Sequence, residues 1–238
     1  MISSAKDAYL AIPNEIHTIS LSLPFRMGRV NCYLLRSDSG YILIDTGGAN
    51  NRAELLRELE RLGCRPGLLK LILITHGDFD HTGNAACLRA AFGTQIAMGA
   101  DDAGMAERGD MFVNRKQPNI LFQRLIPVLS GFGKAERFTP DVFLVDGDDL
   151  SAYGVDARVI SLPGHSKGSL GILTASGDLF CGDLLDNTKQ PALNSLTDDI
   201  VTATASLGKL RGMGIRTVYP GHGSPFPGDF LESLNLPT

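Results

Sequence analysis

Apolar positions along this chain follow two spacings, one of strands and one of helices. Lys70–Thr75 reads Lys-Leu-Ile-Leu-Ile-Thr, a continuous apolar run that predicts a strand buried on both faces. Other β-branched and apolar runs predict strands over Glu15–Leu23, Val30–Arg36 and Tyr41–Asp45. Ser37-Asp38-Ser39-Gly40 has the composition of a hairpin turn between the last two. Further strands are expected at Thr94–Met98, Val142–Val145, Ala157–Leu162, Leu170–Thr174, Asp178–Cys181 and Arg216–Tyr219.

Helices are expected between them. Asn51–Leu62 carries Leu55, Leu56, Leu59 and Leu62 on one stripe, with Asn50 or Asn51 as the cap and Gly63 at the end. Asn84–Ala91 is short and Ala-rich, and Asp198–Arg211 places Ile200, Ala203, Leu207 and Leu210 on one face, from Thr197-Asp198 to Gly212. Asp101–Pro140 holds Met105, Met111, Phe112, Leu121, Phe122, Leu125, Ile126 and Phe132, interrupted by Gly and Pro. It reads as a helical insertion around 101–140, serving either as packing on the core or as a wall for an apolar substrate group.

Composition narrows the class. The chain has 238 residues, enough for one large domain with a substantial core, and a single domain over 1–238 is expected. Hydrophobic residues at 43% and charged ones at 20% argue against disorder. A net charge of −4 with no long basic run argues against a nucleic-acid partner. No apolar run approaches the ~20 residues of a membrane span. Met1-Ile2-Ser3-Ser4-Ala5-Lys6-Asp7 lacks the basic-then-apolar pattern of a signal peptide, so a cytoplasmic location is expected. Cys32, Cys64, Cys87 and Cys181 form no CxxC pair and read as free thiols, with Cys181 in a strand core between apolar neighbours.

The chemistry lies in the histidines. There are five, and four of them sit among other candidate metal ligands. Thr75-His76-Gly77-Asp78-Phe79-Asp80-His81 packs four candidates into six residues, and His165, Asp183 and His222 follow, each behind an apolar run and a glycine. Strands fix where their ends point, and the loops beyond them carry function. Imidazoles and carboxylates together suit zinc, iron or manganese. His17, in an alternating strand segment, reads as exposed or structural. Asp45 reads as a residue that orients a ligand through hydrogen bonds. Lys167, Ser169, Asn187 and Lys189 stay open between substrate contact and solvated loop.

Thr75-His76-Gly77-Asp78-Phe79-Asp80-His81-Thr82-Gly83 resembles the His-x-His-x-Asp-His motif of the metallo-β-lactamase superfamily. Pro163-Gly164-His165, Gly182-Asp183 and Pro220-Gly221-His222-Gly223 follow in that family's order, and Val30–Leu35 and Ile42–Gly47 resemble its early strands. The resemblance implies an α/β fold, a four-layer αββα sandwich with a binuclear site at one edge of two packed sheets. Carried over position by position, it implies a first ion on His76, Asp78 and His165, a second on Asp80, His81 and His222, and Asp183 bridging them. Asp78 departs from the pattern, which has histidine there. It reads either as a carboxylate donor or as a turn residue only, and a family branch with a redox di-iron centre carries Glu at this place. The resemblance therefore implies two divalent ions per chain, zinc by the family pattern, with iron or manganese brought in by the extra carboxylate.

The activity it implies is that of a binuclear metallo-hydrolase. A metal-bridging hydroxide attacks a small ester, thioester or lactone, and Asp80 relays a proton to the leaving group. The alternatives are an iron-dependent, dioxygenase-like redox enzyme on the same fold, a phosphodiesterase, or a binding module with a vestigial site. The partner expected is a small-molecule substrate, with no nucleic acid and no membrane, and with a homodimer left open. The glyoxalase II type, which resembles this chain in its site, is made less expected by its long C-terminal helical domain, since sixteen residues follow His222 here.

Overall fold

The computed structural model describes residues 15–24, 27–115 and 133–234. Among these residues, two mixed sheets stack face to face. The first sheet runs in the order β1 (Ile16–Ser22), β2 (Arg29–Ser37), β3 (Gly40–Ile44), β4 (Leu69–Leu73), β5 (Gln95–Gly99) and β6 (Val142–Leu144). The second has β12 (Phe226–Pro227), β11 (Thr217–Gly223), β9 (Asp178–Asn187), β8 (Leu170–Thr174) and β7 (Ala157–Ser161), with β10 (Ala192–Leu193) also paired to β9. Helices α1 (Arg52–Arg61), α2 (Phe79–Thr82), α3 (Ala85–Phe92) and α4 (Ala100–Arg108) belong to the first half of the chain, and α5 (Ile200–Leu210) and α6 (Phe230–Ser233) to the second.

Strand alternation divides the core into three layers. Tyr33, Leu35, Ile42, Ile44, Leu71 and Leu73 point between the sheets, where they meet Val159, Ile172 and Phe180. Their neighbours Leu34, Leu43, Ile72 and Ile74 point outwards under Leu55 and Leu59 of α1 and Leu88 and Phe92 of α3. On the far side, Ile160, Leu179 and Val218 pack beneath Leu207 and Leu210 of α5 and Leu231 of α6. The continuous apolar run at β4 is thus buried on both faces, flanked by β3 and β5 in parallel. Packing of helices against both outer faces makes the expected αββα sandwich.

The hairpin expected at Ser37–Gly40 forms, with Ser37 opposite Gly40 across β2 and β3. Two strands correct the sequence reading. β9 does not stop at Cys181 but continues through Asp183 to Asn187, and β11 continues through His222 to Gly223. The cause is their mutual parallel pairing, which resumes after register shifts at Pro220 and carries both strands past the turn-like glycines. Helix starts also differ. The Asn51 side chain makes no capping bond at α1. At α5 the cap is Asp199, which accepts from the backbone of Val201 and Thr202 at 3.0 and 3.1 Å, one residue beyond the expected Asp198. Of the segment 101–140, the described part is α4, a turn to Arg115, and residues 133–140; Leu121, Phe122, Leu125, Ile126 and Phe132 lie outside the described residues. All four cysteines are free, with Cys181 in the core. No described helix is long and apolar enough to cross a membrane.

Candidate metal centre

At one edge of the sandwich the ends of β4, β9 and β11 and the loop between β7 and β8 meet. Here the structure brings His76, Asp78, Asp80, His81, His165, Asp183 and His222 together. One donor atom from each of His76, His165 and Asp183 falls within 4.8 Å of the others, and the same holds for Asp80, His81 and His222. Asp183 lies between the groups. Its Oδ1 is 3.5 Å from His81 Nε2, and its Oδ2 is 3.2 Å from His222 Nε2 and 4.0 Å from His165 Nε2. Asp80 Oδ2 is 3.5 Å from His222 Nε2 and 4.0 Å from His81 Nε2. Asp78 Oδ2 is 3.0 Å from His165 Nε2 and 3.5 Å from His76 Nε2.

The rings of His76, His81 and His222 are aimed by their second nitrogens. Asp45 sits just beyond β3 with a positive φ of 60°, a conformation that a non-glycine residue adopts only where its surroundings require it. Its Oδ2 lies 2.8 Å from His81 Nδ1 and accepts from Thr75 Oγ1, while its Oδ1 accepts from the Thr75 amide. Thr75 Oγ1 is in turn 3.0 Å from His76 Nδ1. His222 Nδ1 donates to the Arg29 carbonyl at 2.7 Å. Asn31 and Tyr33 on β2 hold the same stretch of β11 through the carbonyls of Pro220 and Gly223. Close approach makes Gly221 necessary there, since a Cβ would fall onto Asp183 Oδ1 and the His81 ring.

Two further residues build the centre, and neither was a candidate from the sequence. Asp102 on α4 is buried and accepts from the Gly77 amide at 3.0 Å, the Gly168 amide at 2.8 Å and Ser166 Oγ at 2.6 Å. It thereby ties the loop of His76 to the loop of His165. Arg115 donates to Asp78 and to the His165 carbonyl. Neither residue had a local signal, because the bonds that tie them to the centre reach partners 25 to 66 residues away. His17 stands apart on β1 beside Glu15. Asn187 donates to the Ser224 carbonyl, and Ser169 bonds within its own loop to Ser166.

The electrostatics show a site that demands positive charge. Burial by itself would raise the Asp183 carboxyl, but His222 and His81 beside it hold it well below the usual carboxylate range. Burial likewise opposes the charge of Asp78, and His165, His76 and Arg115 overcome it and hold its carboxyl well down. Burial alone would lower His222, yet Asp183 and Asp80 push it up to about 9. His81 is raised for the same reason by Asp45, Asp183 and Asp80. His76 Nε2, His81 Nε2 and Asp183 Oδ1 are buried atoms that make no hydrogen bond among the described residues. Buried polar atoms rarely lack a partner, and an ion is one of the things that supplies it. The imidazole and carboxylate donors fit a first-row divalent cation.

Comparison with known proteins agrees with this geometry. Residues 26–222 match the family model described as the metallo-beta-lactamase superfamily. The chain belongs to that superfamily. It is 29% identical over 168 residues to the hydroxyacylglutathione hydrolase GloC of Haemophilus influenzae, covering 68% of this chain and 70% of that protein. It is 27% identical over 229 residues to the acyl-coenzyme A thioesterase MBLAC2 of Bos taurus, covering 87% of this chain and 77% of that one. Two longer curated relatives are spanned over only 46% and 50% of their length. Among solved structures, TTHA1623 in a di-iron-bound form superposes with a TM-score of 0.67 at 27% identity, covering 90% of this chain and 96% of that one. By family the chain is a metal-dependent hydrolase, and the bond it cuts is a separate question. A length argument does not set aside relatives of the glyoxalase II type, given the match to GloC.

Proposed function

We propose that the seven side chains hold two divalent cations and that the chain hydrolyses a small thioester or ester, with lactones in the same chemical class. The observation that carries this reading is Asp183, one carboxylate shared between two donor groups, 3.5 Å from His81 and 3.2 Å from His222 on one side and 4.0 Å from His165 on the other. His76, Asp78 and His165 would hold the first ion, and Asp80, His81 and His222 the second. Cations bound there supply Lewis acidity, polarising an acyl oxygen and lowering the pKa of water from about 15.7 towards ~7.

The protein's own groups do the rest. Asp45 and the Arg29 carbonyl take the Nδ1 protons of His81 and His222, which leaves Nε2 of each ring as the inward donor. Asp80 is buried, its Oδ2 faces His222 and His81 as the donor to the second ion, and its other oxygen would take up a proton and return it to the departing sulfur or oxygen. Relatives named as a hydroxyacylglutathione hydrolase and an acyl-coenzyme A thioesterase support an acyl group leaving from sulfur.

The test is elemental analysis of protein purified without chelators, followed by a panel of thioesters, esters, lactones and phosphodiesters assayed with and without oxygen. Two metals per chain and oxygen-independent thioester cleavage are expected. Protein without stoichiometric metal overturns the reading. Iron with oxygen consumption favours the redox alternative, whose support is the carboxylate at Asp78 and the di-iron-bound TTHA1623.

A further inference from the structure

Asp78 stands where the family pattern has imidazole, and its surroundings show how a short acidic side chain is held there. It is 7% exposed. Its Oδ2 faces His165 Nε2 at 3.0 Å and His76 Nε2 at 3.5 Å. Its Oδ1 turns away and accepts from Arg115 Nη1 at 2.5 Å. The same guanidinium donates from Nη2 to the His165 carbonyl at 3.1 Å, and its Nε lies 2.7 Å from Asp198 Oδ2, just ahead of α5. Arg115 is itself buried, its side chain 8% exposed.

We propose that Arg115 is a positioning residue for the first metal ion. By occupying Oδ1 it confines Asp78 to donating through Oδ2, towards His76 and His165. By holding the His165 carbonyl it fixes the second loop of that ion's ligands in the same gesture. The planar fork of a guanidinium can hold three partners at fixed angles, which the single ammonium of lysine cannot. A cation so near a metal site also repels the metal. Here that effect is the smaller one, because two carboxylates, Asp78 and Asp198, share the arginine's charge.

The inference rests on the proposed metal centre, and the experiment separates the two. Zn²⁺ and Mn²⁺ are titrated into chelator-stripped full-length protein against a chromophoric competitor, with folding followed by thermal melting. Wild type is expected to bind two ions. Arg115→Ala is expected to weaken the first by ~10–100-fold, the range for partners that orient ligands, and to leave the second unchanged. Asp78→Ala should weaken that same ion. Adding Arg115→Ala to Asp78→Ala should cost less than Arg115→Ala costs in wild type, because the part of the effect that runs through Asp78 is already gone and only the hold on the His165 carbonyl remains to be lost. Arg115→Lys, which keeps the charge and loses the fork, should fall with the alanine variant and serves if that one does not fold. Unchanged or tighter binding of the first ion in Arg115→Ala and Arg115→Lys overturns the proposal, as does equal weakening of both ions. A wild-type chain that binds neither ion overturns the metal centre itself.

Discussion

The two halves of the centre are held by different kinds of structure. Asp80 and His81 sit on the short helix α2 and His222 on β11, and both rings are aimed from residues of the first sheet. His222 is aimed by a carbonyl of β2, its strand is pinned by Asn31 and Tyr33, and His81 is aimed by Asp45 at the end of β3. His76, Asp78 and His165 rest on side chains that bridge loops, with Asp102 joining two of those loops and Arg115 gripping Asp78. Strand register fixes atoms tightly because each ladder bond constrains its neighbours, whereas a loop is as fixed as the few bonds that cross it. The sheet-borne half is the one that keeps the family's residues. The loop-borne half is where the substitution at Asp78 has been accommodated.

Asp183 belongs to both halves, so its removal has the largest effect. Asp183→Ala should lose both ions and at least ~100-fold of activity, more than loss of an orienting partner, while far-ultraviolet circular dichroism stays native. Retention of both ions would break the shared-carboxylate geometry. Asp45→Ala should act mainly on the sheet-borne half, weakening its ion by ~10–100-fold in a competition titration, because His81 Nδ1 loses its partner directly, and weakening the other ion less, because His76 is reached only through Thr75. If the loop-borne ion weakened as much, the two halves would not be separable. Asp102→Ala should act on stability. Three donors lose a charged acceptor, a cost of about 3 kcal/mol or more, read as a lower denaturation midpoint at unchanged slope.

The smallest effect expected is on pH dependence. His222 is raised to about 9 by Asp183, so in chelator-treated protein its favourable contribution is complete below its unfolded value near 6.5 and is lost as pH climbs through about 9. The melting temperature of stripped protein should therefore fall over that window. Bound cations remove the need for a protonated ring, so loaded protein should show a flatter profile. Parallel profiles with and without metal would break the link between His222 and the ions.

Much of this was legible in the chain. A doubly buried strand at Lys70–Thr75 and helices on leucine stripes announced the layered core, because side-chain period reports which faces are covered. The seven candidate ligands were legible because imidazoles and carboxylates recur beside glycines after apolar runs, although Asp183 and His222 prove to lie within strands rather than behind them. Strand ends were less so. Where β9 and β11 stop depends on their pairing with each other, and no local residue pattern records that.

What the sequence by itself determined is the run of strands and helices, through side-chain period, and seven candidate side chains, through residue type; their arrangement in an αββα sandwich around one sheet edge was what the family resemblance implied. What only the tertiary structure decided is how those side chains are aimed: Asp45 onto His81, the Arg29 carbonyl onto His222, and Arg115 onto Asp78. These pairs are separated by 36, 193 and 37 residues. Hydrogen bonds of that reach exist only in the folded chain: the parallel pairing of β3 with β4 brings Asp45 to His81, and the stacking of the two sheets brings the Arg29 carbonyl to His222.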